Sequence, residues 1–214
     1  RTPEIGLRLP QTQAAVLEAL EGLDVEIHEG ESLDSVIGVI RGRGDGPVVL
    51  LRGDMDALPV PEKNTFAHAS RNPGRMHACG HDGHTAMLLG AARYLAGNIA
   101  SVAFAGTVYF IFQPAEESEG GGKVMVEDGL FRQFPMDAVF GLHNWPDMPV
   151  GEMAAMPGPV MAGTCVFEIR LRGQGCHAAM PHQGVDTLVA ASHLVLALQT
   201  IAARNVPPCE AAVV

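Results

Sequence analysis

"PVVLLRGDMDALPV", residues 47–60, sets four apolar side chains in a row, then a glycine and two aspartates one residue apart. A short apolar run closed by glycine reads as a strand buried on both faces. That strand, 48–51, delivers Asp54 and Asp56 from its carboxyl end. "SVIGVIRG" (35–42) reads as a second such strand. "GTVYFIFQP" (106–114) reads as a third, stopped by Pro114, and "DAVFGLHNWP" (137–146) as a fourth that ends in a polar cluster. Helical stretches lie between and around them. "QTQAAVLEALEGL" (11–23) places Ala14, Val16, Leu17, Leu20 and Leu23 near helical spacing, with Gly22 close to its end. "HDGHTAMLLGAARYL" (81–95) and the glycine-led "GGGKVMVEDGLF" (120–131) are two more. Strands alternating with helices define an α/β layered domain.

The character of the chain changes near "MPGPVMAG", residues 156–163. After it come an expected strand, "TCVFEIRLRG" (164–173), a loop, "GQGCHAAMPHQG" (173–184), and a helix, "VDTLVAASHLVLALQTIAARN" (185–205). The expected organisation is therefore a first domain over 1–157 and the opening of a second over 158–214. Arg1 at one end and the apolar "EAAVV" at the other read as the ends of a fragment.

Composition narrows the function classes. Of 214 residues, 47% are hydrophobic and 18% charged, a core-forming balance. The formal charge of −10, from 24 acidic against 14 basic residues, repels phosphate backbones and anionic lipid, so no nucleic-acid or membrane partner is expected. No apolar run approaches the ~18 residues of a spanning helix, and no signal peptide is visible. The four cysteines, Cys79, Cys165, Cys176 and Cys209, form no CxxC pair, which suits free thiols in a reducing cytoplasmic setting.

The polar clusters fall at the carboxyl ends of strands, where open α/β sheets bind ligands. Asp54 and Asp56 follow the first strand, Glu116 and Glu117 the third, and His143 the fourth. "RMHACGHDGHTAM" (75–87) adds His77, Cys79, His81, Asp82 and His84 just before and within a helix. Thiolate, imidazole and carboxylate together suit Zn²⁺ and tolerate Mn²⁺ or Co²⁺. Cys79 and His81, two apart, share a side only in extended chain, which puts them in a loop with Asp82 as N-cap. Adjacent carboxylates at 116 and 117 make sense if one binds a cation and the other takes a proton. Each feature has a plainer reading: Cys79 as a small buried hydrophobe, His77 and His84 as structural histidines, Asp54 and Asp56 as turn residues, the glutamates as a solvated pair. Asn144 and Trp145 read as loop hydrogen bonding and packing. The conjunction favours chemistry over any of these.

Other catalytic signatures are absent. There is no GxSxG elbow, no P-loop around "GGGKV", no GxGxxG after a strand and no HExxH helix.

Five ordered segments, "LLRGDMDALPV" (50–60), "MHACGHDGHTAMLLGAA" (76–92), "FIFQPAEE" (110–117), "GLHNWP" (141–146) and "GQGCHAAMPHQGVD" (173–186), closely resemble the aminoacylase-related metallopeptidase family. The nearest branch holds hippurate hydrolase, N-acyl-amino-acid amidohydrolases and the plant auxin-conjugate hydrolases. The resemblance implies a zinc-peptidase-like layered catalytic domain with an inserted α+β lid that mediates homodimerisation, incomplete in this chain. It implies two divalent metals, Zn or Mn with Co possible, and matches Cys79, His81, Glu117 and His143 to metal ligands. Glu116 matches the general base, and Asp56 the carboxylate that supports a ligand. His177, in the lid loop, matches a histidine lent across the dimer to polarise the scissile carbonyl. Arg204 and Asn205 resemble a pair that grips substrate carboxylate. The family's last ligand, a histidine toward the C-terminus, is not reached. The implied reaction is hydrolysis of the amide bond of a small, hippurate-like N-acyl amino acid. The alternatives are a dipeptidase or carboxypeptidase with the same metals, and a non-catalytic, metal-stabilised binding or assembly module.

Overall fold

Three apolar strands make the middle of a mixed sheet: β2 (Val36–Arg41), β3 (Val48–Asp54) and β4 (Thr107–Gln113). The computed structural model describes residues 1–98, 104–161 and 163–214. Among them, β1 (Glu26–Glu29) and β5 (Ala138–Gly141) complete the sheet in the order β1-β2-β4-β3-β5. β3 pairs in parallel with both β4 and β5, whereas β1–β2 and β2–β4 are antiparallel.

The period-2 alternation of the middle strands divides the core between two faces. Val36, Ile40, Phe110 and Phe112 point to one side and pack with Leu9, Val16, Leu20, Leu88 and Ala92. These come from or next to α1 (Pro10–Leu20) and α2 (His81–Asn98). Ile37, Val39, Tyr109 and Ile111 point to the other side, where Met125 of α3 (Gly121–Glu127) covers them with Leu130 of α4 (Leu130–Gln133). Helices on both faces make the layered α/β arrangement expected from the alternation of elements.

The parallel registry aligns the carboxyl ends of β3 and β4, pairing Asp54 with Gln113. The ladder runs on past the strand, since Met55 N–H donates to the Gln113 carbonyl at 2.9 Å. Met55 is buried in the core. By alternation its neighbours Asp54 and Asp56 share the opposite side of the chain.

The chain divides into two units, Arg1–Met148 and Pro149–Val214, against a sequence expectation of 157/158. Ala162, within the 156–163 stretch that marked that boundary, lies outside the described residues. In the second unit a 3₁₀ turn (Pro181–Gln183) precedes α5 (Thr187–Thr200). Asp186 caps this helix by accepting the N–H groups of Leu188 (2.8 Å) and Val189 (3.2 Å).

One strand went unread and three expectations need correction. β1, "EIHE", escaped the sequence reading because its acidic and basic side chains carry no apolar run; it is an edge strand with exposed Glu26 and Glu29. Residues 164–173 form no strand: a strand requires a ladder partner, and Val166, Phe167, Ile169 and Leu171 stand exposed. Asp82 is not the cap of α2, which starts one residue earlier at His81; its carboxylate accepts the Gly83 N–H inside the first turn. Finally, Thr187–Asn205 is a 19-residue helical run of mean hydropathy 1.3, long and apolar enough to span a bilayer by length and composition. Its Leu, Val, Ala and Ile outnumber Ser192, His193, Gln199 and Arg204, so no unbroken apolar stretch gave it away. The same composition serves a helix whose apolar side is covered by protein.

Candidate metal centre

Asp54 and Asp56 are each only 1% exposed. Buried carboxylates persist where charge and N–H groups compensate their lost hydration. Asp56 has three such partners. Its Oδ1 and Oδ2 accept the backbone N–H groups of Glu116 and Glu117, both at 3.0 Å, and Oδ1 lies 3.2 Å from His81 Nδ1. Burial pushes the Asp56 carboxyl up, but the His81 contact and the two N–H bonds outweigh it and hold the group below its usual range. The chain reaches this position by leaving β4 through Pro114 and a left-handed Ala115 (φ 54°), a conformation rare outside glycine and fully buried here.

With Nδ1–H directed to Asp56, His81 turns Nε2 toward three carboxylates. Asp54 Oδ2 is 3.6 Å away, Glu117 Oε1 3.7 Å and Glu116 Oε2 3.9 Å. None of these is a hydrogen bond. Burial pulls the His81 pKa down, yet the Asp56 contact and the charges of Asp54, Asp56 and Glu117 carry it above its ordinary value. Glu117 Oε1 is buried with no hydrogen-bond partner.

Cys79 Sγ stands 3.4 Å from His143 Nε2, although 64 positions separate the two in sequence. His143 Nδ1 donates to the Asn144 carbonyl at 2.6 Å, so Nε2 carries the lone pair facing Cys79. Burial, followed by the charge and contact of Glu117 and the charges of Glu116 and Asp54, pushes the Cys79 thiol up to about 11. It is a neutral thiol until a cation offsets those carboxylates.

This donor set fits divalent metal. Two atoms ~2.0–2.3 Å from a tetrahedral ion stand about 3.3–3.8 Å apart. The Cys79–His143 and His81–Glu117 pairs, at 3.4 and 3.7 Å, lie close to that spacing. Among the described residues three groupings could hold an ion: Cys79–His81–His143, His81–Glu116–Glu117 and Asp54–His81–His84.

Six residues singled out in sequence, Asp56, Cys79, His81, Glu116, Glu117 and His143, thus meet in one place. Sequence reasoning undervalued Asp54 and His84. Asp54 Oδ2 pairs with Arg52 at 2.6 Å while Oδ1 meets His84 Nδ1, also at 2.6 Å. The available signal was the i, i+3 spacing of His81 and His84, which puts both on one helix face. His77 is half-buried, and burial lowers its pKa. His177, Arg204 and Asn205 belong to the second unit. The exposed His177 accepts the Ala179 N–H through Nδ1 at 3.1 Å, and Arg204 and Asn205 stand exposed in a helical turn, Ile201–Asn205.

Residues 50–211 match the model of peptidase family M20/M25/M40. Over 211 residues the chain is 43% identical to an N-acetyl-L-cysteine deacetylase of Bacillus subtilis, covering 99% of this chain and 50% of that protein. It is 40% identical over 212 residues to the IAA-amino acid hydrolase ILR1-like 4 of Arabidopsis thaliana, covering 99% and 47%. The crystal structure of the Bacillus subtilis YXEP protein, described as a dinuclear metal binding peptidase from the M20 family, superposes with a TM-score of 0.65 at 43% identity. That match covers 70% of this chain and 41% of the other. The chain spans about half the length of the curated relatives it matches. It belongs to peptidase family M20/M25/M40.

Proposed function

We propose that the protein carrying this chain is a metal-dependent amidohydrolase that cleaves the amide bond of small N-acyl amino acids, with a hippurate-like acyl group as one candidate. The observation that carries this reading is the gap in front of His81 Nε2, ringed by Asp54, Glu116 and Glu117 at 3.6–3.9 Å and adjoined by the Cys79–His143 pair. Two relatives named for deacetylation of N-acetylcysteine and hydrolysis of IAA-amino acids share the substrate class.

Cys79, His81, Glu117 and His143 would hold two divalent cations, Zn or Mn with Co tolerated. Such ions act as Lewis acids and lower the pKa of an attacking water from ~15.7 towards ~7. Asp56 fixes the His81 ring through Nδ1 and so aims Nε2. Glu116, whose side chain is 44% exposed, stands on the open side of the cluster. It takes a proton from the water as the new C–O bond forms, then delivers that proton to the amide nitrogen as the C–N bond breaks. His177, from a second subunit of a lid-mediated homodimer, polarises the scissile carbonyl, and Arg204 with Asn205 grips the substrate carboxylate. Within this reading the segment from about 158 opens that lid.

The test is turnover by the full-length protein on a panel of N-acetyl, N-benzoyl and indole-acetyl amino acids beside dipeptides, with metal content measured in parallel. Acyl-amino-acid turnover that vanishes on chelation and returns with metal supports the reading. Preference for dipeptides reassigns the substrate. Bound metal without turnover of any member makes the cluster structural.

A further inference from the structure

His84 is buried, at 3% exposure, and both its ring nitrogens are engaged. Asn144 meets Nε2 through its backbone N–H at 2.9 Å, and with a carboxylate facing it Nδ1 carries a proton. Nδ1 donates it to Asp54 Oδ1 at 2.6 Å. The Asn144 side-chain oxygen Oδ1 lies 2.6 Å from the same Nε2, so that nitrogen is engaged whether it accepts from the backbone or donates to the side chain. Asp54 is itself fixed on its other oxygen by Arg52, whose Nε donates to Gln113 at 2.9 Å. A chain of bonds therefore runs from the ends of β3 and β4 through His84 into the turn after β5. That turn carries His143, whose ring packs edge-on against His84 with centroids 4.6 Å apart. Gly80 makes room for the arrangement: at φ 120° it has no Cβ, and an added one would collide with the Asn144 amide.

With both ring nitrogens already engaged by Asp54 and Asn144, His84 is not a metal ligand, although it stands among groups that could hold an ion. We infer that His84 is a positioning residue: anchored on Asp54, it clamps Asn144 and thereby sets where His143 stands relative to Cys79. Its role toward metal rests on the reading of Cys79 and His143 as ligands. Outer partners of this kind are worth about 10–100-fold in metal affinity. The geometry differs from a packing role because the imidazole joins two elements by directed bonds at both ring nitrogens.

The experiment uses the full-length protein, stripped of metal and reloaded with Co²⁺. A cysteine thiolate on cobalt gives a near-ultraviolet charge-transfer band, and the visible bands report the geometry of the remaining ligands. In His84→Ala the expected result is cobalt affinity ~10–100-fold weaker and altered visible bands, with the thiolate band retained at saturation. His84→Gln, which keeps one donor and one acceptor, is expected to regain most of the affinity and the parental spectrum. If His84→Ala does not fold, the Gln variant decides alone: full cobalt stoichiometry with a parental spectrum supports positioning. Loss of a whole cobalt equivalent in the Gln variant overturns it in favour of direct ligation. An affinity and spectrum unchanged in His84→Ala overturn the positioning role while leaving the ligand set intact. A parent protein that binds cobalt without a thiolate band overturns both.

Discussion

His81 Nδ1 lies 3.2 Å from Asp56 Oδ1, and both side chains are buried. Since the same carboxylate accepts the N–H groups of Glu116 and Glu117, one side chain sets the ring of one candidate ligand and the backbone of another and of the proposed base. Asp56→Ala leaves one buried and two part-buried donors unpaired. At ~1–3 kcal/mol for each such group, with partial rescue by water, a stability loss of about 2–5 kcal/mol is expected in urea unfolding. Asp56→Asn keeps the shape and is expected to weaken metal binding ~10–100-fold at smaller cost in stability. An Asp56→Ala loss within ~0.5 kcal/mol, the range of an ordinary surface change, would contradict this.

The metal-free protein is expected to lose stability as pH rises past neutrality. His81 has a folded pKa above its unfolded value, so its contribution is complete below the unfolded value of ~6.5 and is lost as pH rises through the folded one. Asp56, held low in the fold, contributes with the opposite sign: its share is complete above the unfolded value of ~3.9 and is lost as pH falls through the folded value. Divalent metal replaces the imidazolium as the counter-charge to Asp54, Glu116 and Glu117. Urea titrations from pH 6 to 9 with chelator, then with Zn²⁺, check this. A chelated protein whose stability holds level or rises across that range would contradict it.

Cys79 is expected to be the slowest of the four cysteines to alkylate in the metal-free protein. Its thiol is pushed up to about 11, whereas Cys165, Cys176 and Cys209 are exposed. Peptide mapping after a timed iodoacetamide pulse at pH 8 gives the order. Metal loading should release protons and protect Cys79 further. Alkylation of metal-free Cys79 as fast as the exposed thiols would show that the carboxylates do not suppress its ionisation.

The middle of the sheet was legible because its strands are apolar on both faces, as in "VVLL" and "VYFIF". Convergence of the site followed from strand ends, since parallel β3, β4 and β5 must finish on the same edge. What stayed hidden was held by directed bonds between distant residues. Asp54 meets His84 thirty positions on, and His84 meets Asn144 sixty positions on, contacts for which local periodicity has no mark. β1 was hidden for the opposite reason: as an exposed edge strand it needs few apolar residues. The run 164–173 misled because β-branched and aromatic residues suit a strand, while a ladder also requires a neighbour.

Mixing subunits tests the role proposed for His177. Full-length His177→Ala and Glu116→Gln proteins are each expected to be nearly inactive, since one lacks the lent histidine and the other the base. Mixed dimers contain one site with both groups intact, so about a quarter to a half of the parental activity should return, as set by the fraction of heterodimers. No recovery after subunit exchange, demonstrated by differently tagged partners, would place His177 outside the neighbouring subunit's site.

The adjacent glutamates should fail in different ways, and this measurement bears most directly on the metal centre. Glu117 Oε1 is buried, unpartnered and 3.7 Å from His81 Nε2, whereas Glu116 faces outward with 44% of its side chain exposed. Metal stoichiometry and steady-state kinetics are determined side by side for the full-length protein and its two Gln variants. Glu117→Gln is expected to lose bound metal. Glu116→Gln is expected to keep both metals and its KM while kcat falls by about 10²–10⁴, or roughly 3–5 kcal/mol of barrier. Loss of metal from Glu116→Gln with retention in Glu117→Gln would swap the two roles; full activity in both variants would contradict the account.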